Sequence, residues 1–189
     1  MKLRHQRKRQ TRGAALLSRR RALQALLGIG GLAAGGTAGL FALRGSAPDV
    51  AGLRVLSAQS FRTFKSLAEA VFSGGPPNFA DASDELARMF DGYLADEPKW
   101  AQDEAQQALS LLELGRVIFE RRLSTFSHLT VAERLTHFEQ WTVSDNGIRR
   151  QAATGFRKFL CLVFYDRPAT WPLISYEGPL IRAPDEKVQ

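Results

Sequence analysis

The sequence predicts an all-α protein: a single compact, bundle-like domain of about five helices that follows an N-terminal signal or anchor helix. Apolar residues in the body of the chain recur at steps of three and four, and no segment alternates as a strand would. The first 47 residues carry ten Lys and Arg but no Asp or Glu. We therefore divide the chain into a leader, residues 1–47, and a helical domain, residues 48–189.

The first two predicted helices are separated by a glycine- and proline-rich break. Ser57 is the predicted N-cap of the first helix, because its hydroxyl can accept a hydrogen bond from a free backbone amide. The apolar face of that helix consists of Phe61, Phe64, Leu67, Ala68, Val71 and Phe72. Residues 73–78 end it, since glycine and proline continue a helix poorly. The second helix begins near Ser83 and carries Leu86, Phe90, Tyr93 and Leu94 on one face.

The third predicted helix is the longest, from about Lys99 to Arg122. Its apolar stripe is wide, which predicts a central helix contacted on two sides. Thr130 and Glu133 have the spacing of a capping box, in which each side chain binds the backbone amide of the other residue. They predict the start of a fourth helix that runs through Trp141.

The fifth predicted helix opens near Ser144 or Asn146 and stops at residues 166–168, which end in proline. The only cysteine, Cys161, falls within its apolar spacing; we expect it to be buried, and it cannot form an internal disulfide. The tail, residues 171–179, is aromatic and rich in Gly and Pro. It is predicted to be irregular and to lie across a surface.

The leader has the pattern of a twin-arginine export signal. Ser18, Arg19, Arg20 and Leu23 occupy a Ser-Arg-Arg-x-x-Leu core, and residues 22–43 form an uncharged stretch with six glycines. As a helix these 22 residues would be about 33 Å long, which is enough to cross a membrane. The pattern predicts recognition by the twin-arginine translocase and a periplasmic location.

Two fates of the leader stay open. Residues 45–47 offer the small side chains that precede a cleavage site, but Pro48 would follow the cut, and residues 36–38 fall early. The leader is therefore either removed or retained as a single anchor in the inner membrane. In the second case the arginines would keep the N-terminus on the cytoplasmic side.

The formal net charge of +7 belongs to the leader. The chain has 26 basic and 19 acidic residues; ten of the basic ones lie in the leader, so the body has 16 basic against 19 acidic and a net charge of −3. A nucleic-acid-binding domain needs a basic face. We therefore expect no nucleic-acid partner.

The body carries no recognisable motif for catalysis, for a cofactor or for a metal. There is no GxSxG motif, phosphate-binding loop or CxxCH motif. His128 and His137 are nine residues apart, and we interpret them as surface or capping residues. The acidic residues fit early helical turns, where the helix dipole favours negative charge: Asp81, Asp84, Glu85, Asp103 and Glu104. We predict no catalytic, cofactor-binding or metal-binding residue and a role other than enzyme.

Short motifs near the C-terminus carry a family resemblance. They are Arg149-Arg150, Phe159-Leu160, Tyr165-Asp166-Arg167-Pro168, and the run from Trp171 to Pro179. With the order of the upstream helices and the twin-arginine leader, they resemble the gluconate 2-dehydrogenase subunit 3 family over about residues 55–180. One departure is the end of the first helix, where residues 73–77 replace the family's usual proline-containing end.

The resemblance implies a small subunit that is not itself the catalyst. Its partner would be a large FAD-dependent dehydrogenase of the glucose–methanol–choline type, so that FAD is expected in the partner and no cofactor in this chain. A cytochrome c subunit often carries the electrons onward in such complexes. The small subunit would supply the export signal and help the flavoprotein to fold and travel.

We predict that the tail binds this partner through Trp171, Pro172, Tyr176, Gly178 and Pro179, because aromatic residues are enriched at interface hot spots. In the alternative interpretation, Trp171 and Tyr176 only cover the protein's own core. Two other functions stay open. One is a membrane-anchored periplasmic helical scaffold or assembly factor for another redox complex, and the other is an enzyme in its own right.

Overall fold

The structure is a computed structural model that describes residues 47–75, 79 and 81–178. The regular secondary structure of these residues is helical. No β-strand occurs in these residues, so the predicted all-α class is confirmed. The predicted leader helix lies outside them. The α-helices are α1 (Ala58–Phe72), α2 (Ser83–Ala95), α3 (Lys99–Glu113), α4 (Gly115–Glu120), α5 (Val131–Thr142) and α6 (Gly147–Tyr165). Two 3-10 helices span Phe126–His128 and Pro168–Ile174.

The predicted helix starts are confirmed by their capping bonds. The Ser57 hydroxyl accepts a hydrogen bond from the Ser60 amide at 3.1 Å. Thr130 and Glu133 form the complete capping box, with the Thr130 amide donating to the Glu133 carboxylate at 2.9 Å. Asn146 caps α6, since its side-chain oxygen accepts from amides of the first turn. These local signals fix where α1, α5 and α6 begin.

The centre of the fold is α1. It packs against α2, α3, α5 and the first 3-10 helix, while α6 packs on α2 and α5. Its Phe64, Leu67 and Ala68 are completely buried. The prediction that the third helix is central and the longest was wrong. The longest helix is α6, and α3 buries only a short stretch at its end, which consists of Leu109, Leu112 and Glu113.

The predicted third helix is also broken in two. It was expected to run to Arg122, but it ends at Glu113 with Leu114 as its C-cap, and α4 begins at Gly115. A Cβ atom on Gly115 would lie 2.5 Å from Cζ2 of Trp141. The α5 indole therefore packs directly on the backbone at the break. The apolar spacing continues through this point, so the sequence pattern gave no sign of the interruption.

Cys161 is exposed, which contradicts the prediction that it is buried. The buried residues of α6 recur at steps of three, four and one: Ala153, Phe156, Leu160, Val163 and Phe164. Cys161 follows Leu160 by one position, which rotates it about 100° away from that inward residue. It therefore belongs to the outer face of α6.

All of the described residues belong to one compact unit, which spans Leu43–Gln189. None of its described helices is long and apolar enough to cross a membrane.

The prediction for acidic residues holds for Asp84 and Glu85, which lie in the first turn of α2. It was wrong for Asp103 and Glu104, because the first turn of α3 has no acidic residue and these two lie one turn further on.

Candidate functional site

The C-terminal segment is attached to the end of α6 by hydrogen bonds. The Thr170 hydroxyl donates to the carbonyl of Phe164 at 2.8 Å, and the indole N–H of Trp171 donates to the carbonyl of Tyr165 at 2.9 Å. Both carbonyls lie in the last turn of α6, where the helix offers no amide four residues further on. The Phe164 carbonyl also accepts from the Arg167 amide at 3.4 Å. The tail was predicted to be irregular, and that was wrong up to Ile174, because residues 168–174 form a 3-10 helix.

Three of the predicted partner-binding residues come together in this segment. The rings of Trp171 and Tyr176 meet edge to face, with centroids 5.2 Å apart. Gly178 has a φ of +105°, and a Cβ there would lie 3.0 Å from Cζ3 of Trp171, so the position requires glycine. Pro172 is exposed within the 3-10 helix, and Pro179 lies outside the described residues.

Around Trp171 the segment leaves large apolar side chains exposed. Leu173, Ile174 and Tyr176 are 53%, 50% and 44% exposed, and Leu162 and Tyr165 on the outer face of α6 are similar. We call these five residues the C-terminal apolar surface. Trp171 is half-buried and packs against the tail, and it is not among the residues of the described core cluster. Its ring therefore packs within the tail, on Tyr176 and Gly178, and does not cover the core as the alternative interpretation expected.

The sequence reasoning missed four residues of this surface: Leu162, Tyr165, Leu173 and Ile174. A signal for the first two was available, because they are three residues apart on α6 and out of step with the buried Leu160 and Val163. No comparable signal existed for the other two, since their exposure depends on how the 3-10 helix folds back.

A second candidate site is a cluster of charged groups around Glu120 of α4. Its carboxylate lies 3.0 Å from Nδ1 of His137, 3.3 Å from Nε of Arg116 and 3.7 Å from an Nη of Arg149. The Arg149 guanidinium also lies over the ring of Phe119, 5.0 Å from its centroid. The cluster joins α4 to α5 and α6.

His137 is nearly fully buried in this cluster, so its interpretation as a surface or capping residue was wrong. Burial lowers the pKa of His137 to about 4, because the charged imidazolium loses its hydration; Arg149 and Arg116 lower it further, and Glu120 opposes them. His128 fits the prediction better. It is exposed, with Nδ1 2.8 Å from the Thr125 hydroxyl.

A cleft of about 360 Å³ lies between α4 and α5 beside this cluster. Arg116, Arg122, Glu120 and Glu133 line it, so basic and acidic side chains balance. The Nε2 atom of His137 is buried, and a Cβ on Gly115 would lie only 3.2 Å from it. This nitrogen cannot reach a substrate in the cleft, because the backbone of α4 covers it. The arrangement suits a contact that holds helices together better than acid–base chemistry.

Two further carboxylates are buried, and the sequence reasoning did not single out either of them. Glu113 accepts hydrogen bonds from the hydroxyls of Thr63 and Ser127 at 3.0 and 2.7 Å, and from the Ser127 amide at 3.1 Å. Asp91 accepts from the consecutive amides of residues 54–56 at 2.6, 3.0 and 2.7 Å. Both are fully used in internal bonds, so neither is available to a ligand.

No group of three or more His, Cys, Asp and Glu side chains in the described part of the chain is arranged to hold a metal ion. The predicted export residues, Ser18, Arg19, Arg20 and Leu23, lie outside that part. No protein-family model, curated protein or solved structure matches the chain. The C-terminal apolar surface is the candidate site that we develop below, because its large apolar side chains are exposed.

Proposed function

We propose that this chain is the non-catalytic small subunit of a complex with an FAD-dependent dehydrogenase of the glucose–methanol–choline type. It would support the folding of that flavoprotein and its twin-arginine export to the periplasm. The observation that carries the proposal is the C-terminal apolar surface on an ordered backbone. The resemblance of the C-terminal motifs to the gluconate 2-dehydrogenase subunit 3 family names the partner.

The physical support lies in how the apolar groups are held. A single exposed apolar residue is ordinary on a protein surface, but neighbouring ones on a fixed segment mark an interaction site. The bonds from Thr170 and Trp171 to α6 fix the backbone beneath Leu173 and Ile174. A surface that is ordered before binding loses little conformational entropy in the complex.

The order of events follows from the two ends of the chain. The flavoprotein binds FAD in the cytoplasm and docks on the C-terminal apolar surface. Arg19 and Arg20 then engage the twin-arginine translocase, and both chains cross the inner membrane together. In the periplasm the flavoprotein oxidises its substrate, and a cytochrome c subunit is the expected electron acceptor.

The test is affinity purification of the native chain from its own membranes, with mass spectrometry and an absorbance scan. The expected result is a large flavoprotein with a flavin spectrum. The variant Leu173→Asp with Ile174→Asp should lose it, because two carboxylates would be desolvated in the interface. Val143→Asp is the control, since Val143 is 80% exposed at the end of α5.

A colourless chain recovered alone would contradict the proposal. If that chain also kept its leader in the membrane, it would instead be an anchored periplasmic scaffold or assembly factor for another redox complex. The observation that favours this second candidate is Pro48, which follows the small residues 45–47 and disfavours cleavage. Flavin or turnover in the isolated chain would identify an enzyme.

A further inference from the structure

The outer face of α6 carries basic residues over about its first two thirds. Arg150, Arg157 and Lys158 are exposed, and they are separated by steps of seven and one residues. From Arg157 and Lys158, steps of three and four residues lead to Cys161 and Leu162. Further steps of three and four lead from these two residues to Tyr165 at the end of the helix. Side chains with this spacing lie on one face of a helix. The basic residues therefore share one face of α6 with Leu162 and Tyr165, the two residues of the C-terminal apolar surface that lie on this helix.

Two of these cations lack a partner. Within the described residues, neither Arg157 nor Lys158 forms an ion pair or a hydrogen bond through its side chain. Many other basic side chains of the body are paired with a carboxylate: Arg54, Lys65, Arg88, Lys99, Arg116, Arg134, Arg149 and Arg167. Arg121 and Arg122 after α4 are also adjacent and form no salt bridge with a described residue, but Arg157 and Lys158 are the unpaired neighbours that lie on α6 beside Leu162 and Tyr165.

We infer that the docking face extends from the C-terminal apolar surface along α6, and that the partner presents an acidic patch opposite Arg157 and Lys158. The inference rests on the proposed function and adds the chemistry of the partner's surface. The partner is apolar opposite the C-terminal apolar surface, and it carries Asp or Glu side chains one to two helical turns from the side opposite Leu162 and Tyr165. Such a pairing would fix the orientation of the partner and speed its association.

A protein fits this face better than an anionic membrane does. Trp171 is the side chain best suited to the headgroup region, but its ring packs on Tyr176 and Gly178 and its N–H is already bonded. Two exposed carboxylates, Asp166 and Glu177, adjoin the apolar part in sequence. They would be repelled by acidic lipids, whereas a protein partner can place a donor opposite each of them.

The test is the affinity of the purified chain for the purified flavoprotein, identified by its FAD and its mass spectrum. Arg157→Glu with Lys158→Glu should weaken binding about tenfold at low salt, and the difference from wild type should shrink at high salt because the charges are screened. Arg121→Glu with Arg122→Glu makes the same change of charge at the end of α4 and should bind as wild type does. Equal thermal midpoints would show that all of these proteins are folded.

The outcomes separate this inference from the proposed function. If the Arg157 and Lys158 variant binds the flavoprotein as wild type does, the acidic patch does not exist but the small-subunit role stands. If wild type does not bind the flavoprotein, both fail. Binding of wild type but not of the variant to phosphatidylglycerol vesicles would then assign the face to the membrane. Salt-sensitive self-association in sedimentation would assign it to a second copy of the chain.

Discussion

At Gly115 the indole of Trp141 occupies the space that any side chain would need. The contact joins the first turn of α4 to α5, and it lies beside the cluster around Glu120. Two properties of single residues in this region lead to measurable effects. Gly115 has no room for an added methyl group, and His137 can gain a charge when it binds a proton.

We expect Gly115→Ala to lower the free energy of unfolding by about 1–3 kcal/mol, because its Cβ would lie 2.5 Å from the Trp141 ring. The control is Gly155→Ala in α6, where no atom lies within 4 Å of the added Cβ. The control should be neutral or stabilising by up to about 1 kcal/mol, since alanine favours helix. Urea unfolding measures both, and equal stability of the two variants would show that α4 moves aside at no cost.

Stability should fall as the pH drops from 6.5 toward 4. In the unfolded chain His137 binds a proton near pH 6.5, whereas in the folded protein its pKa is about 4. The unfolded state therefore binds more protons within this window. The stabilisation from the neutral imidazole is present above pH 6.5 and is lost by about pH 4. The full loss is on the order of 3 kcal/mol.

Unfolding free energies measured across this pH range would test the effect of His137. His137→Gln should show a flatter pH dependence than wild type, while His128→Gln, which changes an exposed residue, should follow wild type. Parallel curves for wild type and His137→Gln would mean that the pKa of His137 is the same in the folded and unfolded states, which would contradict this account.

At the scale of elements, one carboxylate fixes the segment that leads into α1. Asp91 of α2 accepts the amides of Arg54, Val55 and Leu56, and it is almost completely buried. Residues 54–56 have no other element to pair with, so this carboxylate takes the place of a helical or sheet partner.

We expect Asp91→Ala to lower the free energy of unfolding by about 2–3 kcal/mol, because three amides lose a charged acceptor. Amide hydrogen exchange should speed up first at residues 54–56. Asp96→Ala is the matched control, since Asp96 forms only an exposed pair with Arg54 at 3.7 Å. It should cost less than about 1 kcal/mol. Unchanged exchange at residues 54–56 in the Asp91 variant would contradict the account.

The limits of sequence-based prediction are visible in these elements. The starts of α1, α5 and α6 were predictable, because Ser57, Thr130 and Asn146 act on amides within a few residues. The break at Leu114 was not predictable, because it depends on Trp141, which is distant in sequence. The same holds for Asp91, although a carboxylate in step with Ala87 and Leu94 on an apolar face was a usable sign of a buried internal bond.

For the candidate site, the sequence indicated the segment but not the residues that face outward. Trp171 was predicted to bind the partner as an aromatic hot spot, yet it is half-buried and its ring packs on Tyr176 and Gly178. Leu173 and Ile174 are exposed, but they were not singled out in the sequence. Exposure of an apolar side chain is a property of the folded chain, and composition does not reveal it.

At the scale of the whole molecule, charge is divided between the two parts of the chain. The leader holds ten cations and no acid, while the body has a net charge of −3. Export should therefore depend on the arginine geometry of the leader, and partner binding on local features of the body. The two functions can be changed separately.

Replacing Arg19 and Arg20 by Lys should hold both this chain and its flavoprotein in the cytoplasm, because lysine keeps the charge but lacks the guanidinium geometry. Arg7→Lys with Arg9→Lys makes the same exchange outside the predicted motif and should leave export unchanged. Cell fractionation with detection of both proteins is the measurement. Normal export of the Arg19 and Arg20 variant would remove the premise that the leader is a twin-arginine signal.

The position of the Asp91 bonds also has a mechanical consequence. A pull on the chain upstream of Ala51 first loads the bond that Arg88 donates to the Ala51 carbonyl at 3.1 Å, and then the three bonds from residues 54–56 to Asp91. The force then passes into α2. The C-terminal apolar surface is held by separate bonds at the end of α6. Under the proposed function, a pull on the N-terminus would load the bonds at residues 51–56 before those that hold the C-terminal apolar surface.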